Sequence, residues 1–436
     1  MVTRPGKRRV GWVVGRPVPA PAYAAPMDVT DFDPTAPLPG PPDPWASTDT
    51  PSRRGSPPFH MTDMIAAEPA LAARILARHA APASGAAKLA GEIRRAIRVG
   101  DPVILTGCGT SEHGALGAAE ILRAAVRLAD LRAPGHTTRR EPVAAQAFEL
   151  SLDPPSSGLV IGISHEGGTT ATNAALAAAR DAGARTAIIT VSDRSPGAAL
   201  ADVVVETGEL DQSWCHTVGY LSPLVAAAAV GAHLAKRPVD GGLAAAVGGL
   251  LAAGVERAPI AESVASRLAG SRQLIVVASG VDRPAGRELV LKVEEGAWLP
   301  AAFRDLETFL HGHLAAVAEG DGLVLVLTDR DRRAERLARA VGVLRAARVL
   351  GLEAAAIVAT DAAAEIPTEL TPAGRIVVPE APELPAPVAA LIGSATPLQL
   401  LTERLARARG VDPDPIHRDV PAYRDAADAA EAAEGS

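Results

Sequence analysis

Apolar residues along this chain come in short bursts separated by longer Ala-rich or amphipathic stretches. Residues 159–163, Leu-Val-Ile-Gly-Ile, are too few for a helix and rich in β-branched side chains, which reads as a buried strand. The Ala-rich run 171–179 that follows has the composition of a good helix. Similar bursts at 102–106, 186–191 and 203–206 predict three more strands, with helices between them and a closing helix over 218–235. Ahead of these, 63–79 and 84–99 carry helical patterns. The long segment 133–157 is poorly periodic, with a short helix expected near 143–150.

The pattern then repeats. Strands are expected at 274–278, 322–328, 354–359 and 375–378. The first and second strands are 56 residues apart in the first unit (Ile104 to Val160) and 50 in the second (Ile275 to Leu325). The next intervals are 28 and 32 residues, to Ile188 and Ile357. Such agreement predicts a tandem duplication. Strands joined by helices make right-handed crossovers and parallel sheets. The expected fold is therefore α/β: two doubly wound parallel-sheet domains of flavodoxin-like type, over 61–237 and 238–409. A tail, 410–436, follows them. Residues 1–60, dominated by Pro, Ala, Gly, Asp and Arg, read as a disordered extension, and Met61 is an alternative start.

Two strand-to-helix turns carry candidate chemistry. Ser164-His-Glu-Gly-Gly-Thr169 and Gly107-Cys-Gly-Thr-Ser111 both set glycines and hydroxyls at a helix start. Glycine lets the backbone approach a ligand, and the first free helix amides present a positive dipole end to an oxyanion. One such loop alone is equally an ordinary capped turn. Two, at the carboxyl ends of neighbouring parallel strands, would converge on one crevice. The second unit has Asp329-Arg-Asp-Arg-Arg333 at the corresponding place, without glycines, so one site per chain is expected.

These two turns resemble the sugar isomerase (SIS) domain family, in particular the isomerase half of glucosamine-6-phosphate synthases. The resemblance covers roughly 61–423. In the second unit, Glu288-Leu-Val-Leu-Lys-Val-Glu-Glu295, fifteen residues and then His311-Gly-His-Leu are similar to that family's Glu-x-x-x-Lys-x-x-Glu helix and later His-Gly-Pro-Leu. The resemblance implies Glu295 as catalytic base and His311 as the histidine assisting ring opening. It also implies Gly109, Thr110, Ser111, Ser164, His165, Glu166, Gly167 and Thr169 around the substrate or its phosphate, and His216 at a sugar-contacting position. It further implies a homodimer with the site at the subunit interface.

The residue types suit the chemistry. Converting a ketose to an aldose moves a proton between adjacent carbons, which one carboxylate can do. A near-neutral histidine can shuttle protons to the ring oxygen. Glu288, Lys292 and Glu295 share one helix face at i, i+4 and i+7. Glu294, one residue away and about 100° around the helix, is the rival base. Three departures bear on function. Glu166 stands where the family pattern has a serine. A carboxylate cannot donate to a phosphate, so either no phosphate binds there, or Glu166 meets an amine, or it turns to an arginine. His216 replaces a serine. Asp412-Pro-Asp-Pro-Ile-His-Arg-Asp419 resembles the closing segment of the family without the lysine that follows it there.

Composition narrows the remaining classes. A net charge of −7 argues against nucleic acid. Two cysteines, Cys108 and Cys215, build no disulfide framework and suggest a reduced, cytoplasmic protein. No apolar run approaches the roughly 20 residues of a membrane span. Only two glycines of the dinucleotide fingerprint are present and no histidine spacing matches a metal set, so no cofactor or metal is expected. The expected function is a sugar or sugar-phosphate isomerase, or an amino-sugar aminotransferase or deaminase. A glutaminase domain is absent from the 60 leading residues, so glutamine dependence is not expected. The alternative is a non-catalytic carbohydrate sensor.

Overall fold

The computed structural model describes residues 32–39, 43–46, 54–135 and 140–432. Helices α1 (His60–Arg78) and α2 (Gly85–Val99) lead into β1 (Val103–Gly107), α3 (Thr110–Leu128), β2 (Val143–Gln146), α4 (Ala147–Leu152) and β3 (Leu159–Ile163). Then come α5 (Thr170–Ala182), β4 (Arg185–Thr190), β5 (Val203–Glu206) and α6 (Val218–Leu234). The strands form one parallel sheet in the order β2-β1-β3-β4-β5. Every residue of β3 is buried, because helices cover both faces of the sheet at its centre. Local chemistry sets the helix ends. Ser84 Oγ accepts from the Ala87 amide at the start of α2, and Gly100 ends it at φ 85°.

The second unit runs α7 (Gly241–Val255), α8 (Ala258–Leu268), β6 (Leu274–Ala278), α9 (Arg283–Ala297), β7 (Ala301–Asp305), α10 (Leu306–Leu310) and β8 (Gly322–Leu327). It continues through α11 (Arg333–Val349), β9 (Glu353–Ala359), α12 (Thr360–Glu365), β10 (Gly374–Val378) and α13 (Ala386–Ala408), with α14 (Pro421–Ala432) in the tail. Its parallel sheet has the order β7-β6-β8-β9-β10, the same connectivity as the first. The duplication expected from strand spacing is therefore a duplication of topology.

Two helices tie the units together. α6 is buried on almost every side, and α13 is largely buried against α7, α8 and α9 while also touching α6 and α1. One hydrophobic core consequently runs through both units. Among the described residues no single helix is long and apolar enough to cross a membrane.

The structure corrects three expectations. Residues 143–150 are not one helix: 143–146 pair with β1 as an edge strand and the helix begins at Ala147. The edge strand β7 was not expected either. All of its residues are half-exposed, so it lacks the apolar burst that marks a buried strand. Parts of the extension read as disordered are seated on the first unit. Leu38 and Phe59 are buried, and Arg54 pairs with Asp63 at 2.6 Å. Isolated apolar residues between prolines anchor these stretches where no periodicity announces them. The remainder of 1–60 lies outside the described residues, apart from 43–46, which bear on the site below.

Candidate functional site

The turns after β1 and β3 flank the point where the strand order reverses, the position at which open α/β sheets bind ligands. Ser164 is buried at the end of β3 with its Oγ 3.2 Å from Thr169 Oγ1. Gly167 has φ 75°, and a Cβ there would collide with the Ser195 hydroxyl, so the turn requires glycine. α5 begins at Thr170, and the first amides of a helix have no intrahelical acceptor. Across the crevice, Gly109 leads into Thr110 and Ser111 at the start of α3 and faces Leu291 of α9.

The floor is built by the loop after β5. Asp211 is buried, and its carboxylate accepts from the amides of Thr217 (2.7 Å) and Gly219 (3.2 Å) at the start of α6. Its own amide donates to His165 Nε2 at 2.9 Å. Burial, and secondarily the neighbouring His216, lowers the His165 pKa to about 4, so this ring is neutral at pH 7. His165 therefore turns inward and braces the floor rather than donating to the crevice. His216 Nδ1 lies 3.7 Å from Asp211 Oδ2, its ring 5.5 Å from that of His165. Burial opposes ionisation of Asp211, yet His216 and backbone donors hold its pKa below the usual range. Glu166 is half-buried, and burial raises its pKa against the pull of His216 and Arg418. Arg418 itself lies over the Trp214 ring, 3.6 Å from its centroid.

α9 brings a ladder of charge from the second unit to the first. Glu288 is buried and accepts from His113 Nδ1 at 2.7 Å and from the Thr110 hydroxyl. Lys292, fully buried, reaches Glu295 Oε2 at 2.6 Å and Glu288 Oε1 at 3.7 Å. Burial works against its charge, but the two carboxylates outweigh that and raise its pKa. Cys215 Sγ lies 3.9 Å from the Lys292 carbonyl, so the acid end of α9 abuts the loop that carries His216. Glu294 is exposed on the other side, accepting from the Ala301 amide at 3.2 Å. The helix thus turns Glu295 inward and Glu294 outward.

The comparisons agree with this architecture. No protein-family model and no curated protein sequence matches the chain. Among solved structures, the C-terminal domain of glucosamine-fructose-6-phosphate aminotransferase from Francisella tularensis superposes with TM-score 0.69 at 17% identity, covering 83% of this chain and 99% of that one. Tagatose-6-phosphate ketose/aldose isomerase from Escherichia coli gives 0.65 at 19% identity, covering 84% and 97%. Glucosamine-6-phosphate deaminase from Thermotoga maritima gives 0.52 at 17% identity, covering 79% and 97%. The chain has the SIS fold.

Within this SIS pair not every expected residue converges. His311 lies at the end of α10 in the second unit, 71% exposed, with Nε2 2.7 Å from Glu307. It joins neither the crevice nor Glu295 within the chain. Cys108, at the entrance to α3, has its thiol pKa raised by burial, which suits packing rather than reactivity. Among the described residues no cluster of three or more His, Cys, Asp or Glu is arranged to hold a metal ion.

Two contributors were not legible in the sequence. Asp414, in the tail, accepts from the amides of His60 (2.8 Å) and Met61 (2.9 Å), capping α1 from the other end of the chain. Its carbonyl also accepts from the Trp214 amide at 3.0 Å, which fixes the loop bearing His216. Residues 32–39 and 43–46 form the second contributor. Leu38 donates its amide to Glu209, Gln212 donates to the Pro39 carbonyl, and Asp43 pairs with Arg194 at 3.4 Å. Trp45 then lies over Gly168 of the crevice, its Cβ 3.0 Å from where a side chain would begin. A tryptophan in a chain with only 3% aromatic residues is the one signal that marked this stretch.

Proposed function

We propose that this chain is a sugar-phosphate enzyme of the isomerase type, or one that transfers or releases an amine with isomerisation, working through an enediol or enolamine. The observation that carries the reading is the reach of α9 into the first unit: Glu288 bonds to His113 and Thr110 beside the first turn, while Lys292 orients Glu295 next to the loop of His216. In this reading Glu295 removes the proton from one carbon of the open-chain sugar and returns it to its neighbour. Lys292 fixes the carboxylate orientation, so the base needs no reorganisation when substrate arrives. Ser111, Ser164, Thr169 and the first amides of α5 hold the phosphate, and His216 contacts a hydroxyl. The sugar-phosphate enzymes named among the similar structures support the substrate class.

The same reading takes the protein as a homodimer in the reducing cytoplasm. His311 is exposed beside an open apolar groove lined by Leu310, Leu314, Val349 and Leu350, which supports its delivery to the crevice of a second copy. Cys108 and Cys215 are both free thiols. Glu166 at the edge of the crevice favours a second reading, a sensor that binds a sugar without turnover.

The test is solvent exchange. Fructose 6-phosphate, with and without ammonia, and a ketosamine 6-phosphate are each incubated with the full chain in D2O. Deuterium entry beside the carbonyl is followed by NMR. Glu295→Gln is expected to slow exchange by about 100-fold or more while leaving saturable binding intact. Exchange untouched by the substitution refutes Glu295 as the base, and binding without any exchange across the sugars establishes the sensor.

A further inference from the structure

The second unit has a crevice of its own at the place where the first unit has its cradle. The turn Ser279-Gly280 follows β6 as Gly107–Gly109 follows β1, and Asp329–Arg332 follows β8 as Ser164–Gly167 follows β3. A cavity of about 610 Å³ opens here, at the carboxyl ends of β6, β7 and β8. Its far wall is α3 of the first unit. Five arginines and four carboxylates face it, so its chemistry differs entirely from that of the glycine-rich cradle.

The crevice is built rather than merely left open. Gly280 has φ 60°, and a Cβ there would collide with the guanidinium of Arg336, so the turn admits that arginine across its backbone. Arg336 is held by Asp329, which is fully buried. The first unit offers bare helix amides to an anion; the second substitutes a fixed guanidinium. Two further arginines remain adaptable. Arg283 is 49% exposed and pairs with Asp305 at 2.8 Å, while Arg332 is 81% exposed and 3.4 Å from an exposed partner, Glu335. A guanidinium has five donors, and each of these pairings leaves some unused.

We propose that this crevice is a second ligand site, taking a sugar phosphate. Arg283, Arg332 and Arg336 receive the phosphate, because a planar fork matches its oxygens bidentately. Asp305 and Asp331 accept hydrogen bonds from sugar hydroxyls, which inorganic phosphate does not offer in that arrangement. The volume falls within the range of about 300–1,000 Å³ of small-molecule sites. The inference goes beyond the reading of the first crevice and does not depend on catalysis there. It also has a consequence for it: α3 runs from this wall to Thr110 and Ser111, and α9 from Arg283 to Lys292 and Glu295. A ligand bridging α3 and α9 at this end would restrain both elements that form the first site.

Calorimetric titration of the full chain with glucose 6-phosphate and fructose 6-phosphate tests the proposal, with glucose and inorganic phosphate as separate arms. Three proteins are compared: the unsubstituted chain, Ser164→Ala/Thr169→Ala in the first crevice, and Arg283→Ala/Arg332→Ala in the second. A binding event that persists in the first variant and weakens at least ~10-fold in the second is expected. Unchanged thermal unfolding shows that these exposed arginines were removed without loss of fold. Binding lost only in the Ser164→Ala/Thr169→Ala protein overturns the site, as does no binding sensitive to Arg283 and Arg332. Inorganic phosphate binding as tightly as the sugar phosphates overturns the sugar-phosphate assignment.

Discussion

Glu68 lies fully buried between α1 and α13. Its Oε2 accepts from the Thr396 hydroxyl at 2.6 Å. The amide nitrogen of Gln399 is committed to the Thr217 carbonyl at 3.2 Å, which leaves Gln399 Oε1 and Glu68 Oε1 as buried oxygens without donors among the described residues. A proton on Glu68 removes a buried charge and leaves a neutral carboxyl able both to donate and to accept a hydrogen bond. Burial, opposed in part by those hydrogen bonds, raises its pKa from 4.5 to about 8. The sign follows from linkage. A carboxyl whose folded pKa is raised contributes stability that is complete below its unfolded value and is lost as pH climbs towards the folded value. At pH 7 the unfolded chain is favoured by roughly 2.5 pH units' worth of ionisation, about 3 kcal/mol. Glu68→Gln keeps the shape, still accepts from Thr396 and does not titrate. Urea unfolding followed by tryptophan fluorescence at pH 5, 6, 7 and 8 is the assay. The variant is expected to gain on the unsubstituted protein by about 1.4 kcal/mol per pH unit across this range. A stability difference that stays flat from pH 5 to pH 8 refutes a protonated Glu68.

Two further outcomes follow from named contacts. Asp414→Ala removes the cap that the tail places on α1 and is expected to cost roughly 1–2 kcal/mol in thermal or urea unfolding, with the α1 start losing amide-exchange protection first. Equal protection in both proteins would mean that the His60 and Met61 amides find another acceptor. Glu166→Ser removes the carboxylate at the edge of the first crevice. A like charge about 4 Å from a phosphate costs on the order of 1 kcal/mol in water and more in a cleft, so phosphate-ester affinity should rise about 5–10-fold or more. Unchanged affinity in calorimetry would show that His216 and Arg418 already neutralise Glu166.

Much of this architecture was written locally. The eight strands expected from apolar bursts are present; the six inner ones are apolar nearly throughout because both their faces are covered, and that requirement is visible one residue at a time. The duplication was legible for the same reason, since strand spacing survives where side chains have diverged. The turns at 107–111 and 164–169 announced themselves by glycine, whose left-handed φ at Gly167 and Gly109 no other residue adopts readily. Edge strands β2 and β7 escaped because half their surface faces water and, unlike the edges β5 and β10, they carry no run of β-branched residues.

Which side chains meet was a different matter. Glu295 and Glu294 are neighbours in sequence and indistinguishable in kind; only the packing of α9 against α3 turned one towards Lys292 and the other outward. The capping of α1 by Asp414 joins residues more than 350 positions apart, and no local pattern encodes such a contact. The same holds for Trp45 over Gly168, for the inward turn of His165 and for the burial that raises the Glu68 pKa. Backbone periodicity is a property of a short window and can be read from it. Burial, charge pairing and proton occupancy belong to the space between elements, and they exist only once the two units have closed on one core.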